Sequence, residues 1–166
     1  MADLTPKERL QPSLLDRLTD DEPEKQNESR EQRVMNIRNL RQSVLRDLAW
    51  LLNTTAMASL VELEKYPFVE RSVLNFGIPA LAGTPLSGAD LPAIERKVKQ
   101  AILDFEPRIL ADSVKVRVAA SDNMNLKAMT FTIEGDLWAQ PLPLHLYIRT
   151  EIDLDTGYAR VSDLNG

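Results

Sequence analysis

The chain has 166 residues, which is enough for one domain and a short extension. Its formal net charge of −5 argues against a nucleic-acid-binding protein, which normally carries a basic surplus. The lack of cysteine excludes disulfides and thiolate sites, and a single histidine, His145, excludes a His-rich metal site. The N-terminal residues lack the apolar core of a signal peptide, and no run of about 18 apolar residues occurs. We therefore expect a cytoplasmic protein without a cofactor.

Residues 1–35 are predicted to form a flexible polar arm, because "DDEPEKQNESREQR" is rich in charge and poor in large apolar residues. Within the arm, the segment 11–18 places Leu14, Leu15 and Leu18 at helical spacing. This pattern fits a transient helical turn. It fits equally well a short docking peptide that folds onto a partner or onto its own domain.

The first long amphipathic helix is predicted over residues 36–53. Its apolar residues advance by three or four positions, as expected for one buried face: Ile37, Leu40, Val44, Leu48 and Leu51. The charged residues Arg38, Arg41, Arg46 and Asp47 lie largely off this stripe. We interpret them mainly as a solvated face, with partner contact as the less favoured alternative.

The second helix is predicted over residues 91–105. Asp90 is a suitable N-cap and Pro92 suits the first turn. Pro107 disfavours helical geometry for the residue before it, so the helix should end at Phe105 or Glu106. Between the two helices, residues 59–90 are predicted to be mostly turns around one short strand at "SVLNFG".

The C-terminal half changes to a two-residue periodicity, which is typical of strands with one buried face. Four short runs separated by short links predict an antiparallel meander: residues 113–121, 127–136, 142–153 and 157–164. The predicted fold class is therefore α+β, with two main helices packed on a mostly antiparallel sheet of about four strands.

A catalytic site is not predicted. Glycoside hydrolysis needs two carboxylates across a cleft, and Glu106 has several acidic neighbours, but any acidic protein offers such pairs. Arg108 would lower the pKa of Glu106, which is the wrong direction for a general acid. The "DLDTG" sequence at 153–157 lacks the further oxygen ligands of a calcium loop and is better explained as a hairpin turn. His145 falls on the polar face of its strand, without a second ligand nearby in the sequence.

Glu106, Pro107 and Arg108 leave two interpretations open. In an extended segment, residues two apart project to the same side, so Glu106 and Arg108 could be offered together to a partner. A planar guanidinium suits bidentate pairing with a carboxylate or carbonyls of another segment. The alternative is an intramolecular salt bridge at a helix stop.

The sequence resembles the TssE family of type VI secretion baseplate subunits, which are related to the protein 25-type wedge component of contractile phage tails. The resemblance rests on "FEPRI" after an amphipathic helix, on "LRQSVLRDLAWLLNT" before it, and on "LYIRTEIDLDTGYARV" near the end. "PSLLDRLTDDEP" and "YPFVERSVLNFGIP" also resemble this family. The similarity extends from about Gln11 to Asp163.

The resemblance implies a non-enzymatic structural subunit in a single domain, residues 36–166. TssE-like proteins sit with TssF, TssG and TssK in the baseplate wedge, on the cytoplasmic side of the inner membrane. They link it to the first sheath ring of TssB and TssC. The resemblance marks Glu106, Pro107 and Arg108 as an interaction motif. Strands such as 142–152 and 155–164 are expected to expose an edge that accepts a sheath strand.

Two relatives of this wider family suggest other functions. Some members have carried lysozyme-like labels, which would make the protein a hydrolase. An anti-adaptor that blocks a protease-delivery factor shares the fold and the "EPRI" string, which would make it a regulator. The long arm with "PSLLDRL" favours the secretion subunit.

Overall fold

Two long amphipathic helices and a four-stranded antiparallel sheet form the main body of the chain, and the predicted α+β fold class is confirmed. The computed structural model describes residues 13–19, 24, 37–83, 90–120, 128–138 and 143–164. Its helices are α1 Leu14–Leu18, α2 Ile37–Leu52, α3 Pro67–Glu70 and α4 Leu91–Phe105. Single-turn 3-10 helices occur at Met57–Ser59, Val73–Asn75 and Ala111–Ser113.

The predicted bounds of α4 are confirmed. The Asp90 carboxylate accepts a hydrogen bond of 2.9 Å from the backbone N–H of Ala93, and so satisfies one of the free donors at the helix start. Pro107 ends the helix at Phe105, which leaves Glu106 as the C-cap residue. In α2, however, Ile37 is half exposed, so the buried stripe begins one turn later, at Leu40.

The predicted meander is also confirmed, with strands in the order β1-β2-β3-β4 and all neighbours antiparallel. The strands are β1 Lys115–Ala120, β2 Ala128–Leu137, β3 Leu144–Asp153 and β4 Ala159–Asp163. The expectation of an open edge along 142–152 is wrong, because β3 is paired on both sides. The edge strands of this sheet are β1 and β4.

The core lies between the helices and one face of the sheet. Helix α2 packs on β4 and α4 packs on β1, so the helices cover the two outer strands. Burying one large aliphatic or aromatic side chain contributes about 1.5–3 kcal/mol. The largest fully buried side chains come from α2, α4 and the two central strands β2 and β3, and they include Leu48, Leu51, Ile102, Phe131, Ile133, Leu146 and Ile148.

The short strand predicted at residues 72–77 is wrong. The Ser72 hydroxyl accepts a hydrogen bond of 3.2 Å from the N–H of Leu74 and starts a 3-10 turn instead. Val73 and Leu74 are exposed, so their apolar character does not reflect a buried strand. Residues 84–89 of this predicted loop lie outside the described residues.

The polar arm predicted at 1–35 also lies outside the described residues, apart from 13–19 and 24. The division into an arm and a domain therefore stays a prediction. Within the described part, α1 confirms helical geometry for Leu14–Leu18.

Gly77 lies in the connection between α2 and α4, at a point where two backbone segments approach closely. The backbone of Ile78 exchanges two hydrogen bonds of 2.8 Å with the N–H of Ala56 and the carbonyl of Thr54. This close approach needs a residue without a side chain, because a Cβ on Gly77 would lie 2.4 Å from the Thr54 carbonyl oxygen. Gly77 also has a φ of 135°, which other residues rarely adopt.

We expect Gly77→Ala to lower the free energy of unfolding by about 3 kcal/mol or more, since it adds a backbone clash to backbone strain. Gly83→Ala is the matched control: Gly83 has a φ of 75° but open space around its Cβ position. The control should cost only about 1 kcal/mol of strain. Urea denaturation measures both, and equal losses would contradict a steric role for Gly77.

Candidate interaction site around the Glu-Pro-Arg turn

The Glu-Pro-Arg sequence forms a tight turn where α4 ends. The N–H of Glu106 donates to the carbonyl of Ile102 at 2.8 Å, which is the last hydrogen bond of the helix. Pro107 has no N–H and prevents continuation. The carbonyl of Glu106 then accepts from the N–H of Ile109 at 3.2 Å and closes the turn.

The residues after the turn are held against the end of β2. The carbonyl of Arg108 accepts from the N–H of Trp138 at 2.8 Å, and the N–H of Leu110 donates to the carbonyl of Asp136 at 2.8 Å. Gly135 makes this approach possible, because a Cβ there would lie 2.7 Å from a methyl group of Ile109. The backbone of Arg108 is therefore fixed on one side by β2.

Glu106 and Arg108 form a bidentate ion pair with each other. Arg108 Nε donates to Glu106 Oε1 at 2.7 Å, and Arg108 Nη2 donates to Oε2 at 2.5 Å. Glu106 is only 3% exposed, so its carboxylate is buried and held by its own neighbour. The intramolecular salt bridge considered from the sequence is thus present, and the Glu106 carboxylate does not face solvent.

Helix α2 provides the other ligands of the Arg108 guanidinium. Nη2 donates to Asp47 Oδ2 at 2.5 Å, and Nη1 donates to Ser43 Oγ at 3.2 Å. Burial acts to lower the pKa of Arg108, but the hydrogen bonds and charge of Glu106, followed by those of Asp47, raise it above its usual value. The arginine remains charged and ties the end of α4 to the middle of α2.

The ion pairs continue from Asp47 to α1. Arg46 contacts Asp47 Oδ1 at 2.8 Å and donates from Nη1 to Asp16 Oδ1 at 2.7 Å. Asp16 also completes the N-terminal cap of α1 with Ser13. Burial acts to raise the pKa of Asp16, whereas hydrogen bonds from Ser13 and Arg46 lower it, and the net pKa lies below its usual value. Trp50 stacks near the Arg46 guanidinium, 5.2 Å from the ring centroid.

The predicted docking leucines lie at the outer end of this network. Asp16 faces α2, whereas Leu14, Leu15 and Leu18 are all exposed. The segment is therefore attached to its own domain through charge, while its apolar side chains remain accessible. Residues 11 and 12 of the predicted segment lie outside the described residues.

The role of α2 in this site was not predicted from the sequence. The interpretation of its charges as mainly a solvated face is wrong for Arg46 and also for Arg41, which forms an ion pair with Asp163. Ser43 and Asp47 are four residues apart and so share a face of the helix. A serine within the apolar stripe, one turn before an aspartate, was the available signal.

Other candidate groups have structural partners. Asp104 Oδ1 accepts from Arg71 at 3.2 Å and from Gln100 at 3.0 Å, beside a groove of about 470 Å³. The predicted hairpin turn at 153–157 is confirmed, since Asp153 accepts from two backbone N–H groups of the turn. His145 is exposed and contacts Asp136 at 2.8 Å.

The described residues contain no group of three or more acidic, histidine or cysteine side chains arranged to hold a metal ion. No helix among them is both long and apolar enough to cross a membrane.

A family model described as "Baseplate wedge protein gp25" matches residues 38–142, which is more than half of the chain and includes α4, the Glu-Pro-Arg turn and all of α2 except its first residue. The chain matches no curated protein and no solved structure.

We expect Arg108→Gln to lower the free energy of unfolding by about 3–5 kcal/mol, because it leaves the buried Glu106 carboxylate without a cation. Urea denaturation at neutral pH measures this loss.

Arg71→Gln is the matched control. Its ion pair with Asp104 is at the surface, where the Arg71 side chain is mostly exposed. Such pairs contribute about 1 kcal/mol or less. If the two substitutions cost the same, the Arg108 pair does not act as a buried anchor between α2 and α4.

Proposed function

The chain belongs to the baseplate wedge protein gp25 family, and we propose that it is a TssE-like, non-enzymatic subunit of a type VI secretion baseplate. The observation that carries the proposal is the family match across the Glu-Pro-Arg turn. The "PSLLDRLTDDEP" and "LYIRTEIDLDTGYARV" segments lie outside that match and extend the resemblance to TssE. A role in the cytoplasm, at the inner membrane through the baseplate complex, follows from this assignment.

Arg108 and Pro107 supply one proposed contact with the wedge proteins TssF, TssG and TssK. Arginine has five N–H donors, and its Nη1 group uses one of its two N–H bonds on Ser43. Pro107 is exposed beside it. In this proposal Glu106 does not contact the partner. It fixes the guanidinium, so that one donor and the proline ring are presented in a defined orientation.

Helix α1 supplies a second proposed contact with the wedge. Its three leucines form an apolar face too small to be stable alone, but suited to a hydrophobic groove on a partner. The Asp16–Arg46 ion pair, at 2.7 Å, holds the helix in place before binding and reduces the entropy that binding must remove.

The proposed contact with the sheath proteins TssB and TssC is the edge of β4. The N–H of Asp153 donates to the carbonyl of Tyr158 at 3.0 Å, so that pair faces inward. Because inward and outward positions alternate in an antiparallel pair, the backbone groups of Ala159 and Val161 point away from β3. Both polar groups of Ala159 are bound by the Asn53 amide at 2.9 Å, which leaves Val161 for an added strand.

The opposite edge is interrupted in the same way. The N–H of Val118 in β1 donates to the Glu95 carboxylate of α4 at 2.7 Å. Each edge therefore has an outward position that a side chain from outside the sheet already occupies. We assign the sheath contact to β4 because it lies within the C-terminal segment 155–164 expected from the sequence to offer an edge.

The hydrogen bonds that the Glu106 carboxylate accepts support a non-enzymatic role. A general acid must reach its substrate, but both oxygens of this carboxylate accept hydrogen bonds from Arg108 within the turn. The nearby groove is lined instead by Asp104 and Glu70.

We expect Leu14→Ser with Leu18→Ser to leave the unfolding midpoint unchanged, because both side chains are exposed. Co-purification with TssF, TssG and TssK from a producing strain should fall at least about tenfold, as expected when apolar anchors are lost. Arg38→Ser, at another exposed position, is the control. Unchanged recovery of every wedge protein would contradict a docking role for α1. Binding only to a protease-delivery factor would instead favour the regulator.

We expect Val161→Pro to abolish sheath assembly, because it removes the outward N–H from the edge of β4. Val161→Ala is the matched control, since it loses similar packing but keeps the N–H. Both should lower the free energy of unfolding by about 1–2 kcal/mol. Fluorescent TssB foci in cells measure assembly, and sheaths of normal number with Val161→Pro would exclude β4 as the template.

A further inference from the structure

An exposed apolar ridge lies on the segment that connects α2 to α4. We define the ridge by five side chains: Leu60, Val61, Phe68, Val73 and Leu74. Phe68 is 93% exposed, Leu60 83% and Val73 82%, so they contribute almost nothing to the core. Single exposed apolar residues are common, but a group of this size marks an interaction surface.

Polar contacts hold the backbone that carries the ridge. The Asn75 amide donates to the carbonyl of Glu70 at 2.7 Å and accepts from the N–H of Ala58 at 2.8 Å. It therefore joins α3 and the two 3-10 turns that flank it. The bridge between Thr55 and Ile78 closes the base of this segment. The backbone that carries the ridge is thus ordered without any help from the ridge side chains, and it is preorganised for binding.

The charges around the ridge indicate what binds there. Glu62, Glu64 and Glu70 are exposed, and within the described part of the chain none of them forms an ion pair. Lys65 and Lys97 are nearby cations in the same condition, and Lys97 lines the same groove as Glu70, whereas Arg71 is paired with Asp104. Three unpaired carboxylates against two ammonium groups leave the surroundings of the ridge net acidic.

This net acidic charge favours one kind of occupant. A second copy of the chain would bring its own carboxylates against these, at a cost in like-charge repulsion. An anionic membrane surface would be repelled in the same way. A segment with apolar side chains and flanking basic residues is complementary in both respects.

We propose that the ridge is a docking surface for an amphipathic, basic helix of another protein. The apolar face of that helix covers Phe68, Leu60 and Val73, and its lysines or arginines pair with Glu62, Glu64 and Glu70. None of the ridge residues belongs to the Glu106–Arg108 network, α1 or β4. The ridge is therefore a further contact, independent of the ones assigned to the wedge and sheath above.

The first test places the photo-crosslinking residue benzoylphenylalanine at position 68 of the full chain in a producing strain, with position 99 on α4 as control. The expected product joins position 68 to one segment of a different protein, with apolar residues every three or four positions and flanking Lys or Arg. Products with a second copy of the chain, products with lipid, or no product at all would overturn the proposal. So would a cross-linked segment of acidic charge.

The second test uses a synthetic peptide of the cross-linked segment and the purified full chain. Fluorescence anisotropy at low salt should show binding that Phe68→Ala weakens at least about tenfold, as for a buried aromatic anchor. Glu62→Lys with Glu64→Lys should weaken it and reduce its salt dependence. Equal affinity for all three proteins would overturn the proposal.

The controls separate this result from folding and from the proposed function. Phe68→Ala should leave the urea midpoint unchanged, because the side chain is almost fully exposed. A failure of the ridge tests would leave the expected results for Val161→Pro and for the α1 leucines unaffected.

Discussion

A carboxylate buried at the end of a helix needs a cation, and in this chain one guanidinium meets that need while also joining separate elements. Pro107 stops α4 at a point where Glu106 faces the interior, and Arg108 neutralises it through two hydrogen bonds. The same guanidinium binds Asp47, so the end of α4 and the middle of α2 cannot shift independently. Buried ion pairs often add little net stability, but their geometry favours one arrangement of the packed elements. The turn is better understood as a positioning device than as a reagent.

The regular elements were predictable where local chemistry and burial agreed. The bounds of α4 follow from the Asp90 cap and Pro107, and the four strands follow from alternation of apolar and polar residues. The strand predicted at residues 72–77 was wrong because its apolar residues Val73 and Leu74 are exposed. Apolar periodicity is interpreted on the assumption that such residues are buried. The prediction that Ile37 belongs to the buried face of α2 was wrong for the same reason. Exposed apolar residues break the rule by which core elements are recognised.

The candidate site was only partly predictable. The spacing of Glu106 and Arg108 placed both charges on one side of an extended segment, and they do meet. The contact of Arg108 with Asp47 could not be predicted from the sequence, because it joins residues 61 positions apart and depends on how α2 and α4 cross. The link from Arg46 to Asp16 spans 30 positions and was equally hidden. Long-range ion pairs leave no periodic signal, so only tertiary structure identifies them.

The capped strand edges have a consequence for the subunit before it is assembled. An open sheet edge is a template for pairing with any extended chain, including another copy of the same protein, and such pairing leads to open-ended aggregates. Here the Asn53 amide occupies Ala159 on one edge, and the Glu95 carboxylate occupies Val118 on the other. A side chain from outside the sheet thus occupies an outward backbone position on each of the edge strands β4 and β1. These contacts shorten the stretch of each edge that another extended chain can pair with, and so limit edge-to-edge association of the free protein.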